Sequence, residues 1–451
     1  MSSFWNHRWL YISRTDLDIE WKQCIEEGKD PAPLAAEFAR VRALDLEDRR
    51  NQPAAQTLLD KAAALPLRGD YGYEEPSDLE EIRARRPKGE PWRVLPASDE
   101  GLLDRVYGAW LGRVCGCLLG KPVEGWRRPR MWGYLKDAGR WPLSDYFTLA
   151  VPQAVRERYE LSPARAFIDT VDHMPEDDDT NYTATGLAIL SKYGPGFAPT
   201  DVATFWLNNI PILRTCTAER VAYRNLCQLI PPPRSAVVRN PYREWIGAQI
   251  RADMFGYAAP GNPELAAELA WRDASISHVK NGIYGEMWVA AMLAAALVSD
   301  DVSQIIAAGL AQIPERSRLA EAIQEVLAWR VEGIDYDAAA ERLHARWDEN
   351  HAHDWCHTIS NAMVVAIGLL WGERDYGLSI CRAVQACFDT DCNGATVGSI
   401  VGAMLGAKRL PERWTAPVHD TLETGVAGYH RVRVADLARE TMGVIERVRN
   451  G

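Results

Sequence analysis

Glycine recurs at every fourth position in two apolar segments of this 451-residue chain. At the periodicity of an α-helix, each set forms one bare ridge. A glycine inside a helix costs about 1 kcal/mol relative to alanine, so such ridges indicate that another backbone approaches closely. We therefore predict two helices that pack together through their glycine faces. The two sets are Gly108, Gly112, Gly116 and Gly120, and Gly394, Gly398, Gly402 and Gly406.

Carboxylates stand at one end of each glycine ridge. Glu124 follows the first ridge, and Asp389 and Asp391 come just before the second. Packing of the two helices would hold these three side chains near one another. The alternative is a tightly packed helix pair whose carboxylates only cap helix ends.

Composition narrows the class of protein. The net charge of −11 and the pI near 5.4 argue against general nucleic-acid binding, which needs a basic face. The longest uncharged apolar stretch, residues 393–407, is too short and too glycine-rich for a membrane span. Residues 1–9 lack the apolar core of a signal peptide, so a cytoplasmic location is expected. The nine scattered cysteines show no C-x-x-C spacing and are predicted to be mainly buried free thiols.

Helical periodicity dominates the chain from Asp99 onward, and alternating strand patterns are not apparent. We predict an all-α, compact multi-helix domain over residues 99–451, preceded by a partly helical N-terminal extension over residues 1–98. The clearest predicted helices span residues 102–119, 180–193, 264–274, 285–297, 302–311, 319–332 and 361–370. Three polar or proline-rich insertions are predicted to form pocket walls, at residues 121–146, 228–245 and 256–263.

The densest charge in the chain is the acidic run at residues 176–179. Such a run can be a solvated helix start that the helix dipole favours. Together with the other acidic positions it supplies six carboxylates, and Thr180, Thr390 and Asn393 add neutral oxygen donors. Oxygen ligands in that number suit hard cations, so a centre with two Mg²⁺ ions is a plausible interpretation. The six carboxylates are Glu124, Asp177, Asp178, Asp179, Asp389 and Asp391.

A zinc site is less favoured, because no His/Cys ligand set has suitable spacing. His351, His353 and His357 are spaced like metal ligands but occupy a polar helix start. We predict that these histidines are surface or capping residues.

Three segments resemble the signatures of the ADP-ribosylglycohydrolase family and occur in the family's order. They are residues 108–124, 176–180 and 389–395, and together they cover about residues 100–410. The resemblance implies an all-helical fold and two Mg²⁺ ions between the motifs. It also implies hydrolysis of the bond between the anomeric carbon of an ADP-ribose ribosyl group and its substituent.

The resemblance also implies particular site residues. Glu124 matches the family's glutamate near the metals, and we predict catalytic roles for Glu124, Asp178 and Asp391. Predicted metal ligands are Asp177, Asp178, Asp179, Asp389, Asp391 and Cys392.

The sequence departs from the family pattern at three places. Asp177 and Cys392 each replace a threonine, and the Cys392 thiol is a soft, poor partner for Mg²⁺. Cys387 and Phe388 replace a pair of glycines, so that a phenyl ring would narrow the pocket. A ribosyl substrate smaller than ADP-ribose, such as a nucleoside or nucleotide, therefore becomes credible.

Residues 240–253 and 277–286 resemble the family's substrate loops. An internal ion pair between Arg251 and Asp253 is the alternative for part of the first loop. The residues predicted to bind substrate are Gln249, Arg251, His278, Asn281, Gly282, Tyr284 and Phe388.

The function predicted from these features is Mg²⁺-dependent hydrolysis of a ribosyl N- or O-glycosidic bond. The partner would be a small ribosyl compound or an ADP-ribosylated target, with no membrane partner. One alternative is an inactive member of the family that binds a ribosyl ligand or serves a structural role. Another is an enzyme with the same metals that acts on a different glycoside or an amide.

Overall fold

The computed structural model describes residues 10–89, 92, 94–96 and 98–450. The signal-peptide prediction, which concerns residues 1–9, lies outside these residues. Within them the chain forms 23 α-helices and a single two-stranded sheet, which confirms the predicted all-α fold class. None of the described helices has the length and apolar character needed to cross a membrane.

The N-terminal part of the chain contains four helices. They are α1 (Arg14–Glu26), α2 (Ala35–Arg42), α3 (Gln52–Ala63) and α4 (Leu79–Arg85). The next eight are α5 (Asp99–Gly120), α6 (Arg128–Asp137), α7 (Gln153–Arg158), α8 (Asp178–Tyr193), α9 (Pro199–Asn209), α10 (Ala218–Cys227), α11 (Arg234–Val237) and α12 (Asp253–Tyr257). These are followed by α13 (Pro263–Ala274), α14 (Asn281–Ala296), α15 (Val302–Leu310), α16 (Arg318–Val331), α17 (Tyr336–Arg346) and α18 (Ala352–Cys356). The last five are α19 (Thr358–Leu370), α20 (Tyr376–Gln385), α21 (Thr390–Leu405), α22 (Glu412–Thr415) and α23 (Val434–Asn450).

The seven clearest predicted helices are confirmed, with ends that differ by a few residues. Two features were not predicted. The insertion at residues 121–146 contains helix α6, which begins beside Pro129, where a proline is compatible with a helix start. A hairpin of strands β1 (Thr421–Glu423) and β2 (Arg431–Arg433) pairs antiparallel just before α23. Both strands have only three residues, too few for an alternating pattern to be recognised.

Helices α5 and α21 run antiparallel through the core with their backbones in direct contact. A Cβ atom on Gly108 would lie 2.4 Å from the carbonyl oxygen of Gly402, and one on Gly116 would lie 2.0 Å from that of Gly394. No real side chain tolerates such distances, so the glycines are required by the packing. The prediction of two helices packed through glycine ridges is confirmed.

The N-terminal helices α1–α3 enclose a small apolar core of their own, which includes Leu17, Phe38 and Leu58. Buried ion pairs join this unit to the rest of the chain. Arg243 contacts Glu20 at 2.7 Å and Glu27 at 2.9 Å. The separate core agrees with an N-terminal extension, while the boundary between residues 98 and 99 stays a prediction.

Candidate active site

The N-terminal ends of α8 and α21 meet beside the C-terminal end of α5. Asp177 caps α8, because its Oδ1 accepts a hydrogen bond of 2.9 Å from the backbone N–H of Asp179. The hydroxyl of Thr390 in the first turn of α21 donates to the carbonyl oxygen of Gly120, at 3.0 Å. This contact fixes the start of α21 against the end of α5. The positive ends of two helix dipoles therefore point at the same place, which favours negative charge there.

The structure brings the six predicted carboxylates into one cluster at this place. Ligand atoms of Asp177, Asp179 and Cys117 lie within 4.8 Å of one another, as do those of Asp179, Asp391 and Cys392. Glu124 interacts electrostatically with Asp389 and Asp177. Asp177, Asp179, Asp389 and Asp391 are buried and Asp178 is half-buried, whereas Glu124 is exposed. The cluster therefore has Glu124 as its solvent-facing member.

Ionisation of this cluster is opposed by its surroundings. Burial, followed by the neighbouring carboxylates, raises the pKa values of Asp178, Asp179 and Asp391 well above the ordinary range. Although Glu124 is exposed, protein surrounds it on most sides, and this partial loss of water raises its pKa to about 7 with help from Asp389 and Asp177. Close carboxylates cannot all carry charge without compensating cations. The cluster is therefore built to gain stability from added positive charge.

Two cations of the chain compensate part of this charge, and the sequence analysis missed both. Lys121 Nζ lies 2.6 Å from Asp177 Oδ2. Burial opposes ionisation of Asp177, but the Lys121 charge and hydrogen bond bring its pKa below the ordinary value. Arg113, fully buried on α5, contacts Asp179 at 3.3 Å and Asp253 at 2.8 Å. Arg113 is the one charged residue in the stretch from Gly108 to Gly120, and this was the signal available in the sequence.

The residues before α21 have an unusual backbone. Cys387 and Phe388 have φ angles of +68° and +59°, in the left-handed region that favours glycine. The phenyl ring of Phe388 is fully buried and packs on His344, with ring centroids 5.0 Å apart. Packing thus holds a conformation that costs roughly 1–2 kcal/mol per non-glycine residue. In this structure the ring has no exposed surface with which to narrow a pocket.

Arg127 is a third cation near the cluster. Its guanidinium lies 4.9 Å from the ring centroid of Trp355, and Asp389 is among the charges that act on it. Its hydrogen bond is to the carbonyl oxygen of Gly125 at 3.1 Å, and it forms no ion pair within 4.0 Å among the described residues. The indole N–H of Trp355 is buried without a partner in the same part of the chain. These donors are available to an anionic ligand.

The family model for ADP-ribosylglycohydrolase matches residues 98–450, which is most of the chain.

The chain belongs to the ADP-ribosylglycohydrolase family.

Membership of the ADP-ribosylglycohydrolase family suggests glycosyl hydrolase activity. A solved structure titled as an ADP-ribosylglycohydrolase-related protein complex is similar over 77% of this chain and 99% of that chain, with 20% identity and a TM-score of 0.49. No curated protein matches the chain.

The residues present fit the divalent cations that the ADP-ribosylglycohydrolase family implies. Asp391 Oδ1 is buried and has no hydrogen-bond partner, so this oxygen is available to a cation. Carboxylate oxygens are the ligands that Mg²⁺ prefers. The thiol of Cys392 is the one predicted ligand whose chemistry does not suit Mg²⁺. Asp177, Asp178, Asp179, Asp389 and Asp391 are therefore the residues that would hold such ions.

Several residues predicted to bind substrate are engaged inside the protein. Arg251 is paired with Glu219 at 2.8 Å and with Asp273. An internal ion pair was the alternative for Arg251, although its partner is not Asp253, which pairs with Arg113.

Asn281 and Tyr284 are used to hold the N-terminal extension. The amide of Asn281 donates to Glu75 Oε1 and to Glu244 Oε2, each at 2.8 Å. The hydroxyl of Tyr284 donates to the carbonyl oxygen of Pro76. The substrate roles of these residues stay predictions that the observed contacts do not support.

Gln249 and His278 keep unsatisfied polar atoms. Neither amide atom of Gln249 has a partner, and His278 Nε2 is also free. Burial, together with the charge of Arg251, lowers the pKa of His278 well below its ordinary value. At Gly282 a Cβ would lie 2.7 Å from the carbonyl oxygen of Arg243, so this glycine serves close packing. Gln249 and His278 are the predicted substrate residues with free hydrogen-bonding capacity.

His353, His357 and Glu26 form another group with metal-ligand spacing. His351 and His357 cap α18 and α19, as predicted, but His353 and His357 are fully buried and do not lie on the surface. The Nδ1 atoms of the two buried rings accept hydrogen bonds, from Trp245 Nε1 and from the backbone N–H of Ile359. Each Nε2 therefore carries the proton: His353 Nε2 donates to Glu26 Oε2 at 3.1 Å, whereas His357 Nε2 lies 3.6 Å from that oxygen, too far for a hydrogen bond. Histidines in this tautomer hold a carboxylate and do not ligate a metal.

Proposed function

We propose that this protein is a divalent-metal-dependent hydrolase that cleaves the glycosidic bond of a ribosyl compound. The observation that carries the proposal is the convergence of three separate acidic segments on one largely buried cluster with Glu124 at its solvent-facing side. A cluster of this kind can hold cations while leaving one carboxylate accessible to water and substrate. The predicted cofactor is a pair of Mg²⁺ ions.

The residues of the chain suit the chemistry of a ribosyl transfer to water. Loss of a group from the anomeric carbon passes through a transition state with positive charge on the sugar ring. The surrounding carboxylates favour that charge. Bound Mg²⁺ ions would anchor the 2′ and 3′ hydroxyls of the ribose and act as Lewis acids. Glu124 is the exposed carboxylate, so we assign it the positioning and deprotonation of the attacking water.

Arg127 bears on the substrate class. Arg127 lies over Trp355 with guanidinium donors that have no carboxylate partner among the described residues, and such donors form strong charge-assisted hydrogen bonds with phosphate. We propose that it binds a phosphate of the substrate. This favours a nucleotide or an ADP-ribosyl conjugate over an uncharged nucleoside, and it keeps both the smaller and the larger predicted substrates open.

The test is a screen of purified protein against nucleosides, nucleotides and ADP-ribosyl conjugates, with Mg²⁺ and with EDTA. The expected result is release of a ribosyl product that EDTA abolishes. The variant Asp389→Asn should lose the activity, whereas Asp337→Asn, at an exposed position on α17, should keep it. Absence of product from every compound with any divalent metal would favour the inactive binding protein. Release that EDTA does not affect would contradict the metal-dependent mechanism.

A further inference from the structure

Thiols surround the carboxylate cluster. Cys117 Sγ lies 4.0 Å from Asp179 Oδ2, and Cys356 Sγ lies 4.0 Å from Asp389 Oδ2. Cys392 Sγ lies within 4.8 Å of ligand oxygens of Asp179 and Asp391, and those oxygens lie equally close to each other. The Cys117 and Cys356 thiols donate to these carboxylate oxygens, whereas a thiolate ligand at Cys392 would select a softer ion than Mg²⁺.

The two sulfur-containing groups differ in what is free to bind. In the group of Cys117, Asp177 and Asp179, both oxygens of Asp177 are already used by Lys121 and by the backbone N–H of Asp179. In the group of Asp179, Asp391 and Cys392, Asp391 Oδ1 is buried and without a partner. The second group is therefore the one with a buried carboxylate oxygen that no protein donor occupies.

The spacing of the second group fits one small cation. Ligand atoms that each lie about 2.0–2.4 Å from an ion lie within about 5 Å of one another. The three ligand atoms, which lie within 4.8 Å of each other, meet this condition. Two carboxylates and one thiolate offer three negative charges, and tetrahedral Zn²⁺ accepts this combination of oxygen and sulfur.

We infer that Asp179, Asp391 and Cys392 form a site for a thiophilic divalent ion of the Zn²⁺ and Co²⁺ class, in preference to Mg²⁺. On binding, the Cys392 thiol loses its proton to solvent, a sulfur–metal bond forms and no electrons are transferred. The site rests on the metal centre of the proposed function and changes the identity of one of its two ions. Mg²⁺ would remain suited to the carboxylates outside this group.

The test is titration of metal-free protein with Co²⁺, in a Cys227→Ser background that removes the exposed thiol. The expected result is a thiolate-to-cobalt charge-transfer band in the near ultraviolet that added Zn²⁺ removes and added Mg²⁺ does not. Cys392→Thr and Cys392→Ser should each lose the band. Their Zn²⁺ affinity should fall by at least about 10- to 100-fold, which is the loss found when residues that only support the metal ligands are changed. Cys381→Ser, which removes a buried thiol on α20, should keep both properties.

A band that persists in both Cys392 variants would overturn the inference, because another thiol would then be the ligand. Equal affinity of the parent protein for Zn²⁺ and Mg²⁺, without a band, would overturn it as well. Circular dichroism of each variant confirms folding before titration. Hydrolysis with Mg²⁺ and no band would leave the proposed function intact and the inference wrong. The expected band without any ribosyl hydrolysis would support the inference and contradict the proposed function.

Discussion

The carbonyl oxygen of Gly398 lies 2.1 Å from the position that a Cβ atom on Gly112 would occupy. The two helices that carry these glycines can therefore approach only as far as the bare backbones allow. This contact determines where the acidic ends of α5 and α21 meet. The packing of the core and the geometry of the candidate active site thus depend on the same glycines.

Replacement of Gly112 by alanine should destabilise the protein. The added methyl group would contact the Gly398 backbone, which cannot move as a side chain can. We expect a loss of at least about 1–3 kcal/mol in the free energy of unfolding, measured in urea. Gly443→Ala, on an exposed face of α23 with no atom within 4 Å, is the matched control. It should raise stability by about 0.5–1 kcal/mol. Equal effects of the two variants would show that the ridge contact is not tight.

Replacement of Asp178 by asparagine should stabilise the metal-free protein and reduce the stabilisation that Mg²⁺ provides. Burial and the carboxylates of Asp177, Glu124 and Asp389 raise the pKa of Asp178, so its charge is unfavourable in metal-free folded protein at neutral pH. In EDTA we expect Asp178→Asn to unfold at a higher temperature than the parent protein. At 100 times its dissociation constant, Mg²⁺ should stabilise the parent by about 2.7 kcal/mol, and the variant should lose most of that gain.

The exposed variant Asp337→Asn should behave like the parent protein in both conditions. A lower unfolding temperature of Asp178→Asn in EDTA would contradict the repulsion between Asp178 and its neighbouring carboxylates.

Replacement of Arg127 by glutamine should weaken the preference for phosphorylated substrates. A hydrogen bond to a charged group contributes about 1.5–3 kcal/mol, so kcat/KM for a nucleotide should fall on the order of 10- to 100-fold. The value for the matching nucleoside should change much less. Arg130→Gln is the control, because Arg130 lies over Trp126 and donates to the carbonyl oxygen of Tyr159. An equal loss for nucleotide and nucleoside would indicate a structural role for Arg127.

The helix pair and the convergence of the acidic segments could be predicted from the sequence. The spacing of the glycines from Gly108 to Gly120 indicates a backbone contact directly, because no other property explains so many helix-destabilising residues on one helix face. Asp177 and Asp389 precede helices whose starts are visible in the sequence. Both signals are local in the sequence, and the order of the three family motifs indicated that the acidic segments would meet.

The role of residues 240–253 and 277–286 could not be predicted in the same way. Arg243, Asn281 and Tyr284 are residue types that bind substrates, but here their partners are Glu20, Glu75 and the backbone of Pro76. Protein carboxylates and ligand groups use the same hydrogen-bond donors. These partners lie about two hundred residues away in the chain, so no local pattern distinguishes docking from ligand binding.

Replacement of Arg243 by methionine should test this docking. The change leaves Glu20 buried without a cation, while Glu27 keeps Lys29 at 2.8 Å, and losing one partner of a buried ion pair costs about 3–5 kcal/mol. Urea unfolding should show this loss. Arg50→Met removes an exposed partner of Asp48 and should leave the urea midpoint close to that of the parent protein. A small loss for Arg243→Met would mean that other contacts hold the extension in place.

The stability of the protein should fall as the pH falls from about 6.5 to about 4, in part because of His344. Burial lowers the pKa of His344 from 6.5 to about 4, and its ring supports Phe388 beside the Asp389 segment. Since the folded-state pKa lies below the unfolded-state pKa, the unfolded chain binds the proton more readily within this window. The stabilising contribution is therefore complete above pH 6.5 and is lost toward pH 4.

Urea midpoints should show a smaller decrease for His344→Gln than for the parent protein, whereas His430→Gln, at an exposed position, should leave the decrease unchanged. An identical pH dependence in His344→Gln and the parent would contradict the role of His344, because His278 and His357 titrate in both proteins and cancel from the comparison.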